Sequence, residues 1–420
     1  MFALVYADEK GCVFDYPSMG LVGRSGRVFV EPVAEEMIPL PPGATLTLVP
    51  DSVPLGLMPD GQFTKLSGNP NGAGRVFAVG ALLPQGYTRT LLPAYLRPGN
   101  QGWLPLLGYA AVGFHKGGFY VAAMATDDPH KWDPNNFNTV DLPALVEKRL
   151  AQHPHNRILQ QLAKCSLDYG CLTAQNVFYR RWEGGLPVSP HCNARCLGCI
   201  SQQPAECCPS PQTRIGFQPR LEEVLDVAVP HLKEAPEAIV SFGQGCEGEP
   251  SLAASLISEA IKKVRQATSR GTININTNAG YTEGIAAICA AGLDAMRVSI
   301  ISPTEKIYDA YYRPQGYRLE DVRKSIVIAK NHGVLVSLNL LTLPGLNDRE
   351  DETEALLELV RSTGVDRIQI RNLNIDPDQL QEVLGLPEEE SLGILRFIEV
   401  LRQELPGVEI GNYSRPAGGE

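Results

Sequence analysis

Beyond position 185 the chain alternates short apolar, often β-branched runs with longer segments whose apolar positions recur at the helical period. Residues 187–189 precede 221–233, 238–242 precede 252–267, and 272–277 precede 283–291. Residues 296–301 then precede 319–332, 334–341 precede 352–363, and 367–371 precede 392–404. Six strand-then-helix units in order predict an α/β class, with a parallel sheet and helices outside it. Six units fit a partial barrel, open on one side, better than the eight of a closed one; the pattern alone leaves an open doubly wound sheet standing beside it. In either case reactive groups should collect at the C-terminal ends of the strands.

The first part of the chain has another texture. Up to about position 125 it is rich in Gly and Pro, with apolar runs at 28–30, 44–49 and 119–123 that read as strands of a small β-rich domain. Residues 127–143 are polar and turn-rich, a linker, and two helices are expected at 144–152 and 156–164. The expected organisation is therefore a β-rich N-terminal domain over 1–126, a linker with helices over 127–184, and the α/β domain over 185–420.

A length of 420 residues suits two domains, and 44% apolar with 20% charged residues is the balance of a folded, soluble protein. The net charge of −10 argues against a phosphate-backbone partner, which needs a concentrated basic surface. Arg180 and Arg181 could seed a local basic patch, but a solvated pair is the plainer reading. Charged residues follow the apolar start at once (Asp8, Glu9, Lys10), so no secretory leader is read there, and no apolar run approaches the ~20 residues of a membrane span. The expectation is a cytoplasmic protein with no membrane partner.

Of the ten cysteines, eight fall between Cys165 and Cys246. In a cytoplasmic chain that clustering points to metal chemistry rather than to disulfides. Cys12 and Cys289 stand apart as ordinary core thiols. Cys192, Cys196 and Cys199 form a C-x3-C-x2-C run after the first expected strand. A cubane cluster normally takes a thiolate on each of its four irons; three thiolates leave one iron open to a small ligand. The alternative is a structural zinc site completed by His191 or a distant cysteine.

This loop, after the first strand of a partial barrel, resembles the hallmark of the radical S-adenosylmethionine (radical SAM) superfamily, over roughly 185–410. The resemblance implies a partial (β/α)6 TIM-like barrel and a [4Fe-4S] cluster on Cys192, Cys196 and Cys199. It further implies S-adenosylmethionine (SAM) chelated at the open iron and cleaved to a 5′-deoxyadenosyl radical, with flavodoxin or ferredoxin as electron donor. The residue before the last cysteine, usually an aromatic that packs on adenine, is Gly198 here. Ser241 to Pro250 resembles the family's Gly-Gly-Glu-Pro loop, with Glu247 in place of the first glycine, and suggests Gly245, Gly248 and Glu249 as cofactor-binding. Position in the barrel suggests Asn276, Asn278, Ser299 and Asn339 for the cofactor's polar groups and Arg371 for adenine.

The remaining cysteines suggest a second metal centre drawing on Cys165, Cys171 and Cys207 or Cys208. Cys246, inside the cofactor loop, is the candidate catalytic thiol, with a further cluster ligand or an inert buried thiol as alternatives. Tyr308 to Arg313 reads as helix packing in preference to a substrate-facing surface. The substrate is not readable; the lean is to a peptide or protein, docked on the N-terminal domain. The rival is a non-enzymatic iron–sulfur or zinc protein in redox sensing or assembly.

Overall fold

The computed structural model describes residues 1–97, 102–205 and 207–418. Seven parallel strands form one sheet in sequential order, with no pairing between the first and last among the described residues. They are Glu183–Leu186, Ile239–Phe242, Thr272–Thr277, Ala295–Ile300, Leu335–Thr342, Arg367–Asn372 and a short closing strand, Glu409–Gly411. The helices between them are α4 (Leu221–Glu234), α5 (Ala254–Ala267), α6 (Thr282–Ala290), α7 (Glu305–Tyr312), α8 (Leu319–Asn331), α9 (Glu350–Thr363), α10 (Pro377–Leu384) and α11 (Ile394–Glu404). The first strand thus ends before the residues expected to form it. Pro187 has no N–H to offer the ladder, so pairing stops at Leu186, and 187–189 lead into the cysteine loop.

Strand alternation decides which residues face inward. In Ala295–Ile300 and Leu335–Thr342 every second residue is fully buried, and these buried residues, Met296, Val298 and Ile300 among them, pack in the main core. The alternate positions, including Arg297, Ser299 and Asn339, face the inner side of the sheet. Register then puts Asn276 opposite Arg297 and Ser299 opposite Asn339, so polar groups from neighbouring strands meet at one level.

The N-terminal part is antiparallel. An eleven-stranded sheet contains Ala3–Asp8, Val13–Leu21, Val76–Leu82, Tyr109–His115 and Gly118–Ala125, and a three-stranded sheet contains Val28–Val30. It seats against the loops that follow the fifth and sixth parallel strands. The Gly26 N–H donates to Pro344 O at 2.9 Å, Arg97 pairs with Asp376 at 2.9 Å, and Arg24 pairs with Asp378. Arg89, 1% exposed, donates to the carbonyls of Leu373 and Tyr109.

Residues 127–143 are no free tether. Trp132 and Phe137 are buried in a cluster with Tyr413, and Asp127 accepts the N–H groups of Asn412 and Tyr413. The two expected helices are α1 (Leu142–Gln152) and α2 (Arg157–Leu167). A third, α3 (Leu172–Tyr179), escaped the pattern because it is only eight residues long and buried on most sides, polar Gln175 and Asn176 included. Asn156 caps α2 by accepting from Leu159 N at 3.0 Å. The Arg157 guanidinium grips Glu223 on α4, tying this helical segment to the parallel sheet. Among the described residues no helix is long and apolar enough to cross a membrane.

Candidate metal and cofactor site

The loop carrying the three cysteines is pinned from below by one carboxylate. Glu247 accepts four backbone N–H groups: Val188 and Ser189 at 2.7 and 2.9 Å through one oxygen, Gly243 and Gln244 at 2.7 and 2.8 Å through the other. Burial pushes its carboxyl up to about 7 despite these donors. A glycine here, as in the family pattern, would leave those donors to find other acceptors, so the departure has a structural role. Next to it the two loops run in contact. The Gly248 N–H donates to Ser189 O and the Glu249 N–H to His191 O, both at 2.7 Å. A Cβ on Gly248 would stand 2.0 Å from the His191 carbonyl oxygen, so only glycine permits this approach.

Cys192, Cys196 and Cys199 line one cavity of about 220 Å³ together with Gly243 to Gly245, Gly248, Glu249, Asn276, Asn278, Ser299, Tyr311 and Tyr312. Leu197, fully buried between two of the cysteines, anchors their loop in the core. The Arg195 and Leu197 N–H groups donate to the carbonyls of Tyr312 and Tyr311. Burial, and then its neighbours Cys192 and Cys199, push the Cys196 thiol well up; burial and then Glu249 do the same to Cys192. Thiols that oppose one another's ionisation are relieved by a cation set among them. Arg214 adds a guanidinium N–H aimed at Cys199 Sγ, 3.5 Å away.

The donor set fits a cluster with one place left open. Both carboxylates lining the cavity are committed: Glu247 as above, and Glu249 to the N–H groups of Ser251 and Asn278 and the Thr277 hydroxyl. His191, considered as a fourth zinc donor, is exposed and does not line the cavity. Among the described residues no three ligating groups stand close enough to grip one ion, so the thiols share a cavity without forming a closed coordination sphere.

The aromatic missing at position 198 is supplied from elsewhere. Tyr311, 2% exposed, places its ring at this cavity, with its hydroxyl against Gly198. Tyr312 packs edge-on against it, ring centroids 4.9 Å apart, and Tyr308 lies tilted against Tyr312 at 4.5 Å. The packing expected of this helix is present, but Tyr311 and Tyr312 also wall the cavity. The sequence signal was available: a glycine where the motif wants a ring.

Residues 186–360, somewhat under half of the chain, match the family model of the Radical SAM superfamily. These residues form a radical SAM domain. Members of the superfamily are enzymes that bind SAM and an iron–sulfur cluster. No curated protein sequence matches the chain. Among solved structures it is similar to methylornithine synthase, at 15% identity over 63% of this chain and 78% of that one, TM-score 0.39. It is also similar to the FeFe-hydrogenase maturase HydG from Carboxydothermus hydrogenoformans, at 15% identity over 64% and 70% of the two chains, TM-score 0.37. A third is Streptococcus suis SuiB bound to the precursor peptide SuiA, at 12% identity over 60% of this chain and 53% of that one, TM-score 0.36.

Beside the cysteine cavity lies a larger chamber of about 500 Å³, walled partly by residues outside 186–360 such as Cys165, Arg371 and Tyr413. Gly198, Gly245, Asn276 and Ser299 line both spaces, so the two are contiguous. Asn276 is braced by donating to Gly243 O at 3.0 Å, and Asn278 by donating to Asn193 Oδ1 at 2.7 Å. Asn339 and Arg371, expected at the cofactor, line the larger chamber and not the cysteine cavity.

Three further thiols border this chamber. Cys165 on α2, Cys171 at the start of α3 and Cys246 all line it. The Cys165 and Cys246 thiols interact across the chamber wall, which holds Cys165 below its ordinary range and raises Cys246. Gln161 also donates to Cys165, at 3.3 Å. The set expected to form a second metal centre is thereby divided. Cys207 and Cys208 are not part of the chamber wall, and Cys208 lies at the Leu106 backbone of the N-terminal part.

Proposed function

We propose that this chain is a radical SAM enzyme whose [4Fe-4S] cluster is held by Cys192, Cys196 and Cys199. When bound, that cluster would supply the electron that cleaves SAM to methionine and a 5′-deoxyadenosyl radical. The observation that carries the reading is the arrangement around the three thiols: they line one cavity, both neighbouring carboxylates are committed elsewhere, and the cavity runs into an internal chamber. Gly245 and Gly248 would present backbone to the cofactor, Asn276, Asn278 and Ser299 polar side chains, and Tyr311 a ring. Glu249 would act by holding the loop, since its carboxylate is already engaged. The curved inner face, lined from Glu183 through Asn276, Arg297 and Asn339 to Arg371, supports the partial barrel as the frame of this chemistry. Such a chamber excludes water from a radical and holds the target hydrogen near it.

Cys246 is the proposed reactive thiol on the chamber wall, because it and Cys165 both border the space a substrate would fill. A second metal centre would draw on Cys165 and Cys171. The division into 1–126, 127–184 and 185–420 belongs to the same proposal, its last boundary moved to Glu183 where the first strand begins. A peptide or protein substrate docked on the N-terminal sheet is supported by the seating of that sheet on the loops after the fifth and sixth strands. A cytoplasmic location and a flavodoxin or ferredoxin donor complete the reading.

The test is anaerobic reconstitution. A brown protein whose reduced paramagnetic resonance signal changes on adding SAM, and which yields 5′-deoxyadenosine with dithionite, is expected; Cys196→Ala should abolish both. A colourless zinc protein, or a cluster indifferent to SAM, would favour the non-enzymatic rival. Iron content of about four against about eight decides the second centre.

A further inference from the structure

The larger chamber carries an unbalanced charge. Its ionisable walls, apart from thiols and one tyrosine, are Glu183, Arg297 and Arg371, two cations against one anion. Glu183 is spoken for. It pairs with Arg297 at 3.3 Å and accepts the hydroxyls of Ser241 and Ser414 at 2.6 Å each. Burial works against its ionisation, but Arg297 and the two hydroxyls outweigh that and hold the carboxyl below its usual range. Arg371 feels the Glu183 charge only beyond ion-pair distance. Its hydrogen bonds all leave from Nη1, to the Asn412 carbonyl at 2.7 Å, the Asn412 side-chain oxygen at 3.3 Å and Gln85 at 3.4 Å. Among the described residues no carboxylate stands within ion-pair distance of it.

Burial, and then repulsion from Arg297, pull the Arg371 guanidinium down to about 10, which leaves it charged at neutral pH. Two other donors on the same wall are idle. Arg297 Nε and the hydroxyl of Tyr413, a residue 5% exposed, are buried without a hydrogen-bond partner. A cation and unmet donors in one internal space are costly unless something that enters it supplies acceptors and a negative charge.

We propose that this chamber binds the carboxylate of the substrate, with Arg371 as its counter-ion and Arg297 Nε and the Tyr413 hydroxyl as further donors. The inference rests on the radical SAM reading above and adds the substrate's chemical class. The excess positive charge calls for an anionic group, and a planar carboxylate suits the guanidinium fork. The group could belong to a small carboxylic acid or to an acidic residue of a peptide. Both present the same atoms to the chamber.

The test is calorimetric titration of the full-length, reconstituted protein with four probes: succinate, a capped tripeptide with a central glutamate, dimethyl succinate and inorganic phosphate. Succinate or the glutamate peptide should bind, and whichever binds more tightly identifies the source. Arg371→Gln should weaken that binding by roughly 10- to 100-fold, while its melting temperature stays close to that of the unaltered protein, because a half-buried cation without an ion pair adds little to the fold. Arg371→Lys should recover part of the affinity. Equal binding of the dimethyl ester, binding of phosphate alone, no binding of either carboxylate probe, or an unchanged affinity in Arg371→Gln would each overturn the assignment. Formation of 5′-deoxyadenosine by the unaltered protein is scored separately. Its absence counts against the radical reading, whereas its presence without carboxylate binding counts against this inference alone.

Discussion

The Tyr311 hydroxyl occupies the place a side chain at position 198 would need: a Cβ built on Gly198 would lie 2.4 Å from it. The ring that the cysteine motif ordinarily carries in its own sequence has been moved to a helix more than a hundred residues away. Glycine at 198 and tyrosine at 311 are therefore one feature, and they should be mutated as one.

Gly198→Ala should destabilise the fold by about 1–3 kcal/mol through overpacking against that hydroxyl. In a Tyr311→Phe background the added methyl meets ring carbon at 3.3 Å instead, and the penalty should shrink. A double-mutant cycle read by denaturant unfolding checks the coupling. Additive losses would mean the two positions are independent.

Glu247→Gln keeps the shape of the side chain but turns an amide NH2 towards two N–H donors. A loss of at least about 2 kcal/mol is expected, with weaker iron retention in the reconstituted protein, because the clasp holds the strand leading into the cysteine loop. Full iron content in this variant would show that the loop needs no such clasp.

Gly248→Ala presses a methyl onto the His191 carbonyl, a backbone atom that cannot rotate away. The cysteine loop should lift, so iron binding should fall sharply while the far-ultraviolet circular dichroism is retained. Normal iron binding would contradict the close approach of the two loops.

The Arg157–Glu223 pair sets a pH dependence. The hydrogen bond from Arg157 is the main cause that holds the Glu223 carboxyl at about 2, against an ordinary 4.5. A depressed carboxylate stabilises the fold above its unfolded value and loses that contribution as pH falls, here between about 4.5 and about 2. Melting temperatures of the unaltered protein and of Arg157→Met should therefore differ most above pH 4.5 and converge towards pH 2. Parallel curves would remove the pair from the account.

Much of this protein was legible in the amino-acid order because its signals are local. A short apolar run followed by a period of 3.6, six times over, comes from backbone geometry and fixes the α/β class whatever the contacts later prove to be. Three cysteines spaced within one loop must stay near one another for the same reason. Even so, edges slipped where a single residue intervened: Pro187 ended the first strand early, and the short, buried α3 gave no amphipathic period to read.

What needed the folded chain were relationships between residues far apart in sequence. Tyr311 filling the gap at Gly198, Glu247 clasping two loops, Cys246 meeting Cys165 while Cys208 goes elsewhere, and Arg371 lying in a chamber with no carboxylate of its own all depend on which strand lies beside which. Propensity and spacing fix an element and the face it offers. Only packing decides what that face meets, because the energies that select a partner, desolvation and charge above all, are set by neighbours the sequence does not put nearby.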